Sequence, residues 1–324
     1  MQINPTDDVD ISFKNYVNTR QKSFATHMIN GVPDYSFSLD FKLRQKINAA
    51  PGMFQFFKAV NKYLVPYMKQ QYNLSCIAVG PNQYSDIYEM GQECARKLGI
   101  GVPQIFVQPD IAVLNAFTYA SDDSAPIIVV TSELIERLTP GELKTVIGHE
   151  CGHIHNNHGI YNAAGSVILN TATVGAIALI PGLQQVLKFV TTGVRWMFYS
   201  WIRAAEVTCD RAGAICSNCI EDVSRTDAKL GFGGAKSLEH INIEEYIKQI
   251  DQMMATPVRF LEMERTHPLT AKRILANKVF ESCDVLYTWR PEWKMPDMNL
   301  ISKEEADKRC ESFISVLSKK KTID

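Results

Sequence analysis

The feature that most constrains this chain is TPGELKTVIGHECGH, residues 139–153, a helix-like stretch that carries polar groups in apolar surroundings. Thr139 can cap a helix, Pro140 suits its first turn because a missing N–H costs nothing there, and Glu142 completes a capping box. The apolar residues recur at helical spacing: Leu143, Val146 and Ile147. A protein core normally avoids imidazoles and carboxylates, so a buried helix of this composition predicts a chemical site.

The two histidines of HECGH have the spacing of metal ligands. His149 and His153 are four residues apart, so they project from one face of the helix, about 6 Å apart along its axis. Neutral imidazoles suit zinc in particular. Glu150 lies one step round the helix, where its carboxylate can take a proton from water. The sequence therefore predicts one Zn²⁺ per chain, with His149 and His153 as ligands and Glu150 as general base.

A catalytic zinc needs a third protein ligand and an open fourth position. A histidine six residues after the second is excluded, because that position holds Gly159. His155 and His158 fall at the wrong places on the helix to join the first pair. We expect these two histidines at the surface or behind the ligands.

A pair of carboxylates further along the chain is the better candidate. Glu206 and Asp210, in WIRAAEVTCDRAGA, are four residues apart in a small and apolar stretch. Glu206 can ligate zinc while Asp210 accepts the outer N–H of a ligand histidine and fixes its orientation. The alternative is an ordinary acidic helix face that pairs with Arg203 and Arg211. The HECGH helix favours the first interpretation, since the two carboxylates complete a three-ligand site.

The remaining pattern indicates one α+β domain. Apolar spacing and turn residues predict helices at 41–47, 53–71, 85–98 and 302–318. Short β-branched runs, PQIFVQ, IAVLNAFTYA and APIIVVT, predict three strands of a small, mainly antiparallel sheet.

Four elements follow one another between residues 95 and 280. They are Asn115-Ala116-Phe117, HECGH followed by His158, the pair Glu206 and Asp210, and THPLTAKRI at residues 266–274. This set resembles the gluzincin metallopeptidases related to HtpX and the CAAX prenyl proteases, with their N-A-F, H-E-x-x-H-x(4)-H, E-x-x-x-D and H-P-x(4)-R motifs. Cys209 departs from the family pattern, which commonly has a small residue such as alanine there.

The resemblance implies a mainly helical zincin-type domain with a small sheet whose edge strand borders the active-site cleft. A peptide substrate would lie along that strand. The residues implied to bind it are Asn115, Ala116, Phe117 and Thr118. His267 and Arg273 would face the cleft as catalytic residues that steady the oxyanion, or would brace the carboxylate pair. Taken without the resemblance, His267-Pro268 equally suits a helix start.

The same comparison suggests three regions within one domain. We expect residues 1–94 to form an arm and helices that pack on the catalytic region, and 95–280 to form the zinc metallopeptidase core. Residues 281–324 would add an irregular segment and a final helix.

Composition and charge limit the classes of binding partner that we expect for this chain. The net charge of −1 gives no basic field for nucleic acid. The N-terminus has no apolar secretory segment, so we expect a cytoplasmic protein with reduced cysteines. Cys151 is expected to be a small buried apolar residue, although its thiol lies between the ligands. Cys216 and Cys219 form a C-x-x-C without a second pair, so they do not predict a structural zinc site.

Residues 160–180 are long enough to span a bilayer. Four polar residues interrupt the stretch, namely Asn162, Asn170, Thr171 and Thr173. Pro181-Gly182 ends it. A buried helix is favoured over membrane insertion, and peripheral membrane contact stays open. We therefore expect the soluble branch of the family.

The function predicted is a zinc-dependent metalloendopeptidase that hydrolyses extended or unfolded protein segments, with the water activated by zinc and Glu150. The alternative from another class is a catalytically silent zinc-containing module that binds a peptide or partner. A third hypothesis is a membrane-bound protease anchored through residues 160–180. The sequence leaves the cleavage preference and the oligomeric state open, and also whether the N-terminal region covers the cleft.

Overall fold

The structure, a computed structural model, describes residues 27–29, 31–121, 124–169, 191–233, 242, 244–248 and 268–315. Its helices are α1 Ser38–Ala49, α2 Met53–Ala59, α3 Val65–Ser75, α4 Ser85–Leu98, α5 Ser132–Arg137, α6 Pro140–His155, α7 Gly159–Leu169, α8 Thr192–Cys216, α9 Glu221–Phe232, α10 Thr270–Glu281, α11 Asp284–Trp289 and α12 Lys303–Ile314. Its strands are β1 Met28–Ile29, β2 Val32–Pro33, β3 Ile77–Ala78, β4 Gln104–Gln108, β5 Ala116–Ser121 and β6 Ser124–Thr131. The predicted mainly helical α+β fold is confirmed.

The main sheet has the strand order β3-β4-β6-β5. β5 and β6 form an antiparallel hairpin, whereas β4 and β6 run parallel, with Ile105 opposite Ile128. The sheet is therefore mixed, and it contains a strand, β3, that the sequence pattern did not reveal. β6 takes the centre because its apolar run Ile127–Val130 is buried.

The strand predicted at residues 111–120 begins only at Ala116. The segment before it bends at Asp110, whose carboxylate accepts the N–H of Ala112, and Ile111 is 84% exposed. Asn115 therefore precedes β5, and its backbone is held by Thr131 of β6. β5 is an edge strand of the described sheet, as the sequence predicted for the strand beside the cleft.

Helix α6 contains the HECGH residues and begins as predicted. The N–H of Glu142 donates to the Thr139 hydroxyl at 3.4 Å, and the N–H of Thr139 donates to the Glu142 carboxylate at 2.8 Å. The helix then runs through the core, where Ile147 and Cys151 are fully buried. This capping box fixes where the helix starts, and hence which residues face the long helix α8.

Glycine residues allow α6 and α8 to pack very closely. A Cβ atom added to Gly148 would lie 2.4 Å from Cys216 Cβ, and one added to Gly152 would lie 2.6 Å from Ala212 Cβ. On α8, a Cβ atom added to Gly213 would lie 3.0 Å from the Thr145 carbonyl oxygen. The two helix backbones therefore approach so closely that only glycine, whose side chain is a hydrogen atom, fits at these positions.

The N-terminal helices pack on this pair from outside. α1 lies against α8 and α12, and the buried Arg211 of α8 donates to Asp307 of α12 at 2.7 Å. The predicted break between the first helices is present, with Gly52 at φ +79°. The helix after the break widens into a π-helical turn, Val60–Leu64, just before Pro66, which cannot donate to the carbonyl four residues back. The predicted region boundaries at residues 94 and 280 stay predictions.

The predicted buried helix at residues 160–180 is described only in part. Residues 160–169 belong to α7, and 170–180 lie outside the described residues. None of the described helices combines the length and the apolar composition that a bilayer crossing requires.

We expect Gly152→Ala to destabilise the protein by about 1–3 kcal/mol, because the new Cβ forces α6 away from Ala212. Gly193→Ala, in the exposed first turn of α8, is the control, since its new Cβ meets nothing closer than 3.8 Å. This control should change stability by less than about 1 kcal/mol, in the stabilising direction. Chemical denaturation measures both. Equal effects of the two substitutions would contradict the close-packing account.

Candidate metal centre

The two histidine rings of α6 converge on a carboxylate of α8. The Nε2 atoms of His149 and His153 each lie 3.8 Å from an oxygen of Glu206. Tetrahedral ligands with bonds of about 2.0–2.2 Å stand about 3.3–3.6 Å apart. The observed separations therefore suit a zinc ion after a small inward movement, and two imidazoles with a carboxylate are a donor set that zinc accepts.

The outer nitrogens of both rings are held by other residues. Nδ1 of His149 donates to Asp210 at 2.8 Å, and Nδ1 of His153 lies 3.1 Å from Nδ1 of His158. A proton on Nδ1 leaves the Nε2 lone pair free. Both rings therefore present the correct nitrogen toward Glu206.

Cys209 is a second candidate for the third ligand. Its sulfur lies within 4.8 Å of a ring nitrogen of both His149 and His153. However, the same sulfur is 3.6 Å from Nδ1 of His158, on the outer side of the His153 ring. Burial, with the charge of Glu206, raises the pKa of the Cys209 thiol in the metal-free protein. The oxygens of Glu206 face both Nε2 atoms, so the geometry favours Glu206, and its role as third ligand stays a prediction.

An arginine connects the carboxylates around the centre. Arg273 of α10 donates through Nε to Asp210 at 2.9 Å, and its guanidinium lies 3.6 Å from Glu206 and 3.3 Å from Asp227 of α9. Asp227 also accepts the side-chain amide of Asn277 at 2.7 Å. Arg273 therefore braces the carboxylates, one of the two roles expected for it.

The charges of this cluster shift its titrations. Burial opposes ionisation of Asp210, but the Arg273 charge and the hydrogen bond from His149 outweigh it and lower the pKa of Asp210. Burial raises the pKa of Asp227 to about 7, although Arg273 opposes that shift. Asp210 is thus a permanent anion beside His149, whereas Asp227 titrates near neutrality.

The two ligand rings differ in basicity. Burial disfavours a proton on His149, but the hydrogen bond to Asp210 and the charge of Glu206 raise its pKa to about 9. Burial, with the charges of His149 and His158, lowers the pKa of His153 well below its ordinary value. In the absence of a cation, the carboxylates thus collect one proton on His149, which a metal ion would replace.

Glu150 is oriented by the edge strand. The hydroxyl of Thr118 in β5 lies 2.6 Å from Oε2 of Glu150 and 3.2 Å from its backbone carbonyl, and both residues are buried. The sequence predicted Thr118 as part of the substrate strand and gave no sign of this bond. Thr118 therefore ties the strand to the residue predicted as general base.

One cleft of about 860 Å³ runs past the histidine pair and the carboxylates Glu206, Asp210 and Asp227. The predicted site residues along it are Asn115, Ala116, Phe117, Thr118, His149, Glu150, His153, Glu206, Asp210 and Arg273. His267 lies outside the described residues, so its predicted role stays a prediction. Sequence reasoning missed Asp227 and Asp40, which no local motif marks. For His158, the one signal in the sequence was its position as the last histidine of H-E-x-x-H-x(4)-H.

Comparisons with known proteins agree with this geometry. The model described as "Peptidase family M48" matches residues 81–278. The plastoglobule-localized metallopeptidase 48, chloroplastic, of Arabidopsis thaliana is 28% identical over 249 residues, which cover 74% of this chain and 70% of that protein. The protease HtpX homolog 1 of Sulfurisphaera tokodaii is 31% identical over 132 residues, 40% of this chain and 38% of the relative. The chain thus spans most of the first relative and well under half of the second.

Among solved structures, the crystal structure of S. mikatae Ste24p matches 74% of this chain and 61% of its own length. The TM-score is 0.40 and the sequence identity 15%. That similarity is too low to support an argument about the site.

The Asp227 titration gives a test in the metal-free protein. Since its pKa is raised from about 4 to about 7 on folding, its contribution to stability is full below about pH 4 and is lost as the pH rises through about 7. We expect Asp227→Asn, which cannot ionise, to lose less stability than the wild type between pH 5 and 7. The difference in slope is at most about 1.4 kcal/mol per pH unit. Urea denaturation with a chelator present measures it, and parallel curves would count against the assignment.

Proposed function

Because this chain belongs to peptidase family M48, a family of metal-dependent peptidases, we propose that it is a zinc-dependent metalloendopeptidase. The proposed substrates are extended or unfolded protein segments. His149, His153 and Glu206 would hold one Zn²⁺, and Glu150 would act as general base. The observation that supports this best is the common orientation of the ligands: both Nε2 atoms face Glu206 while Asp210 and His158 hold the two Nδ1 atoms.

The donor set leaves a defined task for each group. A bound zinc would supply Lewis acidity, polarising the scissile carbonyl and making water a better nucleophile at neutral pH. The carboxylate of Glu150 accepts the proton of the attacking water and later gives it to the departing amine. The Thr118 hydroxyl keeps Oε2 of Glu150 in place and so orients the carboxylate that takes the proton.

The edge strand explains why an extended segment is the proposed substrate. One side of β5 has no partner strand among the described residues, and residues Ala116–Tyr119 line the cleft beside Glu150. A peptide can add to such an edge through backbone hydrogen bonds, which depend little on its side chains. A folded domain does not present a free strand of this kind, so unfolded segments fit best. A cytoplasmic location, with or without peripheral membrane contact, stays a prediction.

Glu150→Gln should abolish hydrolysis while leaving metal binding close to that of the wild type, because it removes the base and no ligand. We expect a loss of at least about 100-fold in kcat, the lower end of what a general base contributes. Cleavage of casein or a quenched peptide measures activity, and metal content per chain is measured on the same samples. His149→Ala is the companion variant that should lose both. A wild-type chain that binds zinc and peptide yet cleaves nothing would favour the silent binding module.

Thr118→Val tests the positioning of Glu150. Valine keeps the shape and β propensity but removes the hydroxyl, so we expect kcat to fall about 10-fold or more while KM changes little. Thr118→Ser restores the donor and should recover most of the rate. A valine variant with wild-type kcat, or a serine variant as slow as the valine one, would show that the 2.6 Å contact does not matter for turnover.

A further inference from the structure

The second ligand ring is supported by a chain of contacts that ends in the N-terminal helix. His153 Nδ1 lies 3.1 Å from His158 Nδ1, and His158 Nε2 lies 2.9 Å from an oxygen of Asp40 in α1. His158 and Asp40 are fully buried. Asp40 is 118 residues from His158 in the sequence and lies outside the family match of residues 81–278. None of the recognised motifs includes it.

The carboxylate of Asp40 is contacted by four side chains. One carboxylate oxygen accepts from Trp201 Nε1 at 2.9 Å and forms an ion pair with Arg44, whose Nε lies 3.1 Å away. The other accepts from His158 Nε2 and from the Thr208 hydroxyl, each at 2.9 Å. With three donors and an ion pair, this carboxylate cannot rotate without losing a contact. Asp40 is therefore a rigid acceptor for His158.

The proton positions along this chain follow from one another. A metal ion on His153 Nε2 requires the proton on Nδ1, which points at His158. His158 Nδ1 must then offer its lone pair, so its proton sits on Nε2 and is donated to Asp40.

Two other groups reach the same nitrogens. Asn162 Nδ2 is 3.3 Å from His153 Nδ1, and the amide can turn its oxygen to this N–H instead. The Cys209 sulfur is 3.6 Å from His158 Nδ1, where its thiol is a weak donor. Neither group is a carboxylate that could replace Asp40 at the end of the chain.

We propose that His158 and Asp40 are positioning residues of the metal centre, which fix the tautomer and ring orientation of His153. The N-terminal helix α1 is thereby part of the metal site. This inference rests on the proposed role of His153 as a zinc ligand. On this proposal a carboxylate positions each ligand ring: Asp210 acts on His149 directly, and Asp40 acts on His153 through His158.

Three substitutions in the full chain separate the links. His158→Leu removes both contacts, whereas His158→Asn keeps an acceptor near the Nδ1 position and also suits the residue before α7. Asp40→Asn keeps the shape but removes the charge. We expect zinc affinity, measured by competition with a chelator, to fall about 10–100-fold for His158→Leu and for Asp40→Asn. His158→Asn should lose clearly less than His158→Leu.

Asp307→Asn is the matched control. Asp307 is a similarly buried carboxylate that pairs with Arg211 and holds the start of α1 through Ser38, but it does not contact the histidine chain. Its substitution should lower stability and change zinc affinity less than 2-fold. Equal weakening by Asp307→Asn and Asp40→Asn would overturn the proposal, since the effect would then be loose packing of α1. So would wild-type affinity in His158→Leu.

Thr208→Val is the replacement test if the Asp40→Asn variant does not fold. It removes one donor to Asp40 at nearly constant shape, and the same proposal requires weaker zinc binding from it; unchanged affinity would overturn it. A wild-type chain that binds no zinc would instead refute the proposed function. Zinc binding by the wild type that is insensitive to all these substitutions would refute only the role of His158 and Asp40.

Discussion

The close contact between α6 and α8 determines nearly everything at the metal centre. With any side chain larger than hydrogen at Gly148 or Gly152, the helix axes would move apart. The donor atoms of His149 and Glu206 come from different helices, so their 3.8 Å separation reflects that axis distance directly. The glycines are thus as much a part of the site as the ligands.

A second constraint is the balance of buried charge. Glu206, Asp210 and Asp227 lie close together, and in the described part of the chain Arg273 is the cation that contacts all three. Removing such charges from water is costly unless they are compensated. The raised pKa values of His149 and Asp227 show that one guanidinium does not fully compensate them. A divalent cation would complete the compensation, so the arrangement that binds metal is also the one that needs it.

The parts of the site that the sequence predicted are those set by local geometry. Spacing on one helix places His149 beside His153, and a capping box shows where that helix begins, so neither depends on distant residues. Strand direction does not follow from local spacing. The bend at residues 109–115 places β5 outside β6, so β4 pairs with β6 and these two strands run parallel. Asp40 shares no period or motif with the residues it serves. Only tertiary packing brings it to His158, so no reading of the pattern could have paired them.

The two ligand rings are therefore oriented by unequal means. Asp210 lies one helical turn from Glu206, so α8 alone supplies both the proposed third ligand and the partner of His149. The partner of His153 is His158, whose own acceptor Asp40 lies in α1, and Trp201 and Thr208 of α8 tie Asp40 to α8. If the chain binds zinc as proposed, metal binding and the docking of α1 would stabilise each other, because a ligand that binds only the docked form stabilises that form by mass action. On the proposed role of Asp40, a residue outside the family match would set how firmly the centre binds a metal ion without contacting it.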